Sequence, residues 1–127
     1  MINKIKFIKD KLTTRLRSEF NNVVMLNHEI SSSNFLIRFV ILNFFFTIKL
    51  STHHLDIPWQ LSTLVEKNGN TLLPVEKYLD YNYDYELNPK YEVTPKLLEN
   101  KNGEIEKLIE LFINDLKDYL KALNLSG

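Results

Sequence analysis

Segment 35–50, FLIRFVILNFFFTIKL, is the most apolar stretch of this chain and the richest in β-branched and aromatic residues. Its side chains require either lipid or a protein core. A transmembrane helix needs about 20 predominantly apolar residues. This run is shorter and carries Arg38, Asn43 and Lys49. A basic residue at the centre of a span costs roughly 2.5–3.5 kcal/mol even on a lenient insertion scale. Phenylalanine, isoleucine and valine are bulky close to the backbone, which restricts them in a helix and suits a pleated surface. The run therefore reads as the central strand of an antiparallel sheet, and no transmembrane segment is expected.

Its two parities differ. Leu36, Val40, Leu42, Phe44, Phe46, Ile48 and Leu50 share one, broken only by the charge of Arg38. The other begins Phe35, Ile37, Phe39, Ile41 and then turns to Asn43, Phe45, Thr47 and Lys49. A strand covered on both sides is continuously apolar and one covered on a single side alternates. The first half is thus expected to be covered twice and the second half once. A straight strand of this length would stretch about 50 Å, against a diameter of about 36 Å for a compact domain of this size. The strand must bend, bulge or break, most naturally near Asn43, and a curved sheet is expected.

At 127 residues the chain is read as a single domain, 1–127, large enough to bury a core without disulfides. It contains no cysteine, which excludes a disulfide framework and thiolate chemistry and leans toward a reducing compartment. The N-terminus has lysines but no apolar block leading to a small-residue cleavage site. An intracellular, cytoplasmic location is the corresponding expectation. The formal net charge of zero gives no strong nucleic-acid signal. It is unevenly spread, however: residues 1–54 hold eight Lys and Arg against three Asp and Glu, and the remainder holds eight against thirteen. Such asymmetry marks a polar partner or, more simply, two separately solvated surfaces.

Residues 2–20 have helical periodicity, with Ile5, Ile8, Leu12, Leu16 and Phe20 on one stripe and Lys4, Lys6, Lys9, Lys11, Arg15 and Arg17 elsewhere. A basic amphipathic helix of this kind either covers a core or lies on anionic lipid or nucleic acid. Residues 22–30 read as a first strand and Ser31-Ser32-Ser33-Asn34 as a turn. The cleanest alternation follows at Ile57, Trp59, Leu61, Thr63 and Val65, with Pro58 where a strand tolerates it. Asn68-Gly69 is a hairpin signal, because both central positions of the tight turn take positive φ. Pro74 either interrupts the return strand or opens a helical turn through Val75, Tyr78 and Leu79. Tyr81, Tyr83, Tyr85 and Leu87 alternate as a last strand or an exposed ribbon. Thr94-Pro95 resembles a helix start, and a final helix is predicted over about 104–123. Its stripe is Ile105, Leu108, Ile109, Phe112, Ile113, Leu116, Leu120 and Leu123.

Few residues carry obvious chemistry. His54 and Asp56 share a side of an extended backbone and are weak candidates for metal ligands or an oriented histidine, with His53 beside them and His28 as a distant third. Arg38 either pairs with Glu29 across the first hairpin, snorkels at a sheet end, or meets an anionic ligand. There is no glycine-rich phosphate loop, no nucleophile elbow, and only Gly69, Gly103 and Gly127 to build a backbone cradle.

The expected fold is α+β: an N-terminal amphipathic helix, a curved antiparallel sheet of four to five strands, and a long C-terminal helix packed on the sheet. The leading functional expectation is a non-enzymatic protein-interaction module, such as a small inhibitor, immunity or chaperone-type protein or an accessory subunit. Its partner would be another protein or its own copy. Tyr81, Tyr83, Tyr85, Lys9 and Arg15 are the candidate interface residues, because tyrosine gives rigid contact area with a polar tip. The alternative is a small-ligand carrier with a pocket between sheet and C-terminal helix near Arg38, Phe39, Phe44, Phe46 and Trp59. A third reading is a hydrolase-type enzyme using His54 and Asp56. No cofactor is expected.

Overall fold

The computed structural model describes residues 2–52, 59–78, 89–100 and 102–125. Helix α1 (Ile2–Glu19) leads into five strands: β1 (Val24–Ile30), β2 (Asn34–Ile41), β3 (Phe44–Ser51), β4 (Leu61–Lys67) and β5 (Asn70–Leu72). A single helical turn, α2 (Val75–Tyr78), follows, then α3 (Pro95–Asn100) and the long α4 (Asn102–Leu125). The strands lie in the order β1-β2-β3-β4-β5, each antiparallel to its sequence neighbour. The sheet is open, and the helices cover one of its faces, giving the α+β architecture expected.

The apolar run 35–50 is two strands rather than one bent strand. Leu42 and Asn43 both take positive φ, 51° and 70°, and reverse the chain in two residues. Mirror-image turns of this kind match the twist of the strands they join. The break falls where the residue pattern changes, but its effect on the faces corrects the parity reading. A two-residue reversal pairs Ile41 with Phe44 and Phe39 with Phe46. Odd residues before the turn and even residues after it therefore share a face. Phe35, Ile37, Phe39 and Ile41 are buried beside Phe44, Phe46, Ile48 and Leu50, whereas Leu36 and Val40 lie on the opposite face. No described element lies over that opposite face, and Leu36, Arg38 and Val40 are only half-buried there, so the first half alternates in burial where two-sided cover was expected.

The remaining elements follow their local signals. Asn68 and Gly69, at φ 53° and 80°, make the β4–β5 turn. Pro74 opens the helical turn α2, whose Lys77 and Tyr78 amides donate to the Pro74 carbonyl. Thr94 caps α3, its Oγ1 accepting from the Leu97 amide at 3.0 Å. Where β5 ends, residues 91–93 take over the edge of β4. Leu61 donates to the Tyr91 carbonyl and Val93 to that of Trp59. Residues 57 and 58 of the expected alternation lie outside the described residues.

One apolar core joins the sheet to the helices. α1 contributes Ile5, Ile8, Leu12 and Leu16, all fully buried, and α4 contributes Ile105, Ile109, Phe112, Ile113, Leu116 and Leu120. Phe39 stacks on Phe46 at 5.1 Å between ring centroids, and Tyr119 of α4 meets Phe46 edge-on at 6.3 Å. Such pairs add about 0.5–1.5 kcal/mol each beyond their buried area. No helix among the described residues is long and apolar enough to cross a membrane.

Leucine is poorly suited to the left-handed region, where its Cβ crowds the following carbonyl. Replacing Leu42 and Asn43 with Asn and Gly relieves that strain without touching the core, since Leu42 is 46 % exposed. The Leu42→Asn/Asn43→Gly variant is expected to gain about 1 kcal/mol in urea denaturation, with an unchanged m-value.

Candidate functional site

The sheet register sorts the expected ligand-pocket residues onto two faces. Phe39, Phe44 and Phe46 are buried in the core, and Trp59 packs against it. Arg38 points the other way, so it and Phe39 do not line one cavity between sheet and helix. The register also separates Arg38 from Glu29: Arg38 lies opposite Asn27, and Glu29 opposite Leu36. Neither has a hydrogen-bond or ion-pair partner among the described residues. His53, His54 and Asp56, with Tyr81, Tyr83 and Tyr85, lie outside the described residues. Among the described residues no three metal-ligating side chains gather.

The two basic interface candidates are engaged within the fold. Lys9 is 7 % exposed and pairs with Asp10 at 3.2 Å. Arg15 holds Glu110 of α4 through two hydrogen bonds, at 2.5 and 2.9 Å, and Glu19 on its own helix at 3.2 Å. Its guanidinium draws the Glu110 carboxyl below the usual glutamate value. Lys11 meets Glu106 at 3.5 Å, and Lys117 of α4 pairs with Glu19. Residues 11 and 15 match 106 and 110 in the same order, so α1 and α4 run in parallel. Much of the positive charge of the first half is thus balanced by the acidic second half.

Among the described residues nothing covers the face of the sheet turned away from the helices. Its rows, read across β1 to β4, are Glu29–Leu36–Lys49–Ser62 and Asn27–Arg38–Thr47–Leu64, followed by Val24–Val40–Phe45–Glu66. Val24, Leu26, Phe45 and Leu64 are 57, 51, 50 and 45 % exposed. Arg38 stands among them, half-buried. An open depression of about 260 Å³ lies over it, lined by Leu26, Phe45, Thr47, Glu66 and Gly69. Its size suits one or two protein side chains better than a drug-sized molecule. β1 forms the rim. Leu26 is an extra residue there, since the register shifts between Met25 and Asn27, and such a bulge bends the strand and increases its twist. Most of β1 is exposed.

A second polar group is enclosed on the helix side. The Glu76 carboxylate, 5 % exposed, accepts from the Thr63 amide at 3.2 Å and the Thr63 hydroxyl at 2.8 Å. The same hydroxyl accepts from the Val75 amide at 2.9 Å. This knot fastens α2 to β4. Nearby, Tyr119 donates to the Leu73 carbonyl at 2.7 Å and Tyr91 to Asp115 at 2.8 Å. Burial pushes both phenols well above their ordinary value. A neutral phenol locked to an acceptor acts here as a structural clamp, tying α4 to residues 73 and 91. No sequence pattern marked Glu76 for burial, whereas Tyr119 falls three residues after Leu116 on the α4 stripe.

Comparison with protein-family models, with curated proteins and with solved structures finds no match to this chain.

Burial raises the Glu76 carboxyl above its ordinary value of 4.5, over the opposing effect of the Thr63 donors. The folded state therefore holds this proton more tightly than the unfolded chain. That contribution to stability is full below pH 4.5 and is lost as pH climbs through the folded value. Glu76→Gln removes the titration. The melting temperature of the variant minus that of the parent is expected to rise between pH 4 and 8 in parallel calorimetric scans.

Proposed function

We propose that this chain is a non-enzymatic protein-interaction module that makes contact through the outer sheet face and its β1 rim. The occupant is a protein segment presenting a carboxylate flanked by apolar side chains. One observation carries the reading: the Arg38 guanidinium, without a partner among the described residues, stands half-buried among exposed apolar side chains. Arginine ringed by apolar surface is the typical anchor of a protein interface, because the apolar ring excludes water from the charged pair. An exposed apolar patch rimmed by polar residues is likewise a common mark of such surfaces. Glu29, Lys49 and Glu66 supply that rim.

Charge also narrows the mode of contact. Stacking two such faces around an axis through Arg38 would set like charges together, which favours a carboxylate opposite Arg38 over a mirrored copy of it. Affinity purification from the native source, with the parent and with Arg38→Glu and Leu26→Asp as baits, tests the reading. A specific protein, foreign or a tagged second copy, is expected to bind the parent and to lose at least about tenfold in affinity for each variant, roughly 1.4 kcal/mol or more. Binding should survive Lys121→Glu on exposed α4 surface. Equal binding by all baits, or no binding by the parent, would overturn it.

A further inference from the structure

We propose that the segment completing this surface is β1 of a second copy, paired antiparallel to β1 about a two-fold axis at His28. This rests on the reading of the chain as a protein-interaction module and names its partner. Among the described residues β1 is the sheet's outermost strand and pairs with β2 alone. It lacks lysine and proline, the usual blocks on edge pairing. Its bulge, at Leu26, leaves 27–30 in regular register with 38–35.

The charges select the register. If His28 meets His28 of the copy, Asn27 stands opposite the copy's Glu29, and the same contact recurs by symmetry. Asn27 is itself the neighbour of Arg38 on β2. The row then reads Arg38, Asn27, Glu29 of the copy, all on the outer face. Two strand spacings, roughly 10 Å between Cα atoms, separate the two charges. An extended arginine and glutamate bridge that gap over the short asparagine. Neither group has a partner among the described residues of the single chain, and the dimer pairs each Arg38 with the copy's Glu29. Leu26 on the outer face and Ile30 on the helix side, 51 and 38 % exposed in the monomer, both border the seam and lose water-exposed area to the copy's β1. A two-fold contact of this kind uses the same patch on both subunits and closes on itself. It yields one ten-stranded sheet whose Phe45 and Leu64 remain on the open face.

Light scattering after size exclusion, over a concentration series, measures the assembly. The parent is expected at twice its 15.0 kDa mass. Glu29→Arg and Arg38→Glu should each weaken the dimer at least about tenfold, by placing like charges across Asn27. The double variant Glu29→Arg/Arg38→Glu restores opposite charges and should restore the dimer, with circular dichroism confirming an unchanged fold. The chain has no cysteine of its own, so His28→Cys tests the register directly. It should form a disulfide-linked dimer on mild oxidation, and Lys121→Cys should not. A parent that stays monomeric, a dimer indifferent to both single variants, or a charge swap that fails to rescue overturns the proposal. If a foreign protein still binds in an Arg38-dependent manner while the parent is monomeric, the interaction-module reading stands and only the second copy is wrong.

Discussion

The fold depends on a two-residue reversal inside its most apolar stretch. Side chains of a strand alternate between faces, so any reversal decides which parity of the next strand shares a face with the last. At Leu42 and Asn43 the loop is two residues long, and the buried parity switches from odd to even. This switch brings Phe39 onto Phe46 and puts eight large apolar residues of β2 and β3 on one side. A loop one residue longer would send Phe44, Phe46, Ile48 and Leu50 to the surface and Phe45 and Lys49 to the core. The helices have an apolar face to cover because this turn is tight.

Against that face the two long helices lie parallel, which sets like ends of their dipoles side by side. The ion pairs between α1 and α4 offset some of this repulsion. They also account for part of the charge asymmetry of the sequence: Lys11 and Arg15 of α1 face Glu106 and Glu110 of α4, and the sign reverses at Glu19 and Lys117. Individually such exposed pairs contribute about 0–1 kcal/mol. Collectively they select which surface of α1 faces α4, while the apolar stripes supply most of the burial.

The elements with clean periodicity were legible in the residues. α1, α4, the Asn68-Gly69 turn and the α+β outline all follow from spacing and turn chemistry. The Leu42-Asn43 turn was legible only as a necessity, since length and changing parity demand a break that no glycine announces. Leucine at positive φ is held there by the strand pairing on either side, a case of tertiary structure overriding local preference. The site was less legible. Arg38 stood out as a charge in an apolar run, but its neighbours depend on register. The length of the loop at residues 31–33 places Asn27, not Glu29, beside it. That length is not set by a pattern in the sequence. Burial of Glu76 depends on Thr63 from a different strand, a coincidence in space that one-dimensional reading does not reveal.

The order of the elements has a consequence for biogenesis. Every strand pairs with its sequence neighbour, so the sheet grows by closing short loops and can assemble while the chain is being made. α1, however, is made before every strand of the sheet, and α4, which helps to shield its apolar stripe, is made after them all. At ribosomal rates of about 5–20 residues per second, Ile5, Ile8, Leu12 and Leu16 wait several seconds for that cover. During that interval the emerging sheet is their nearest apolar shelter.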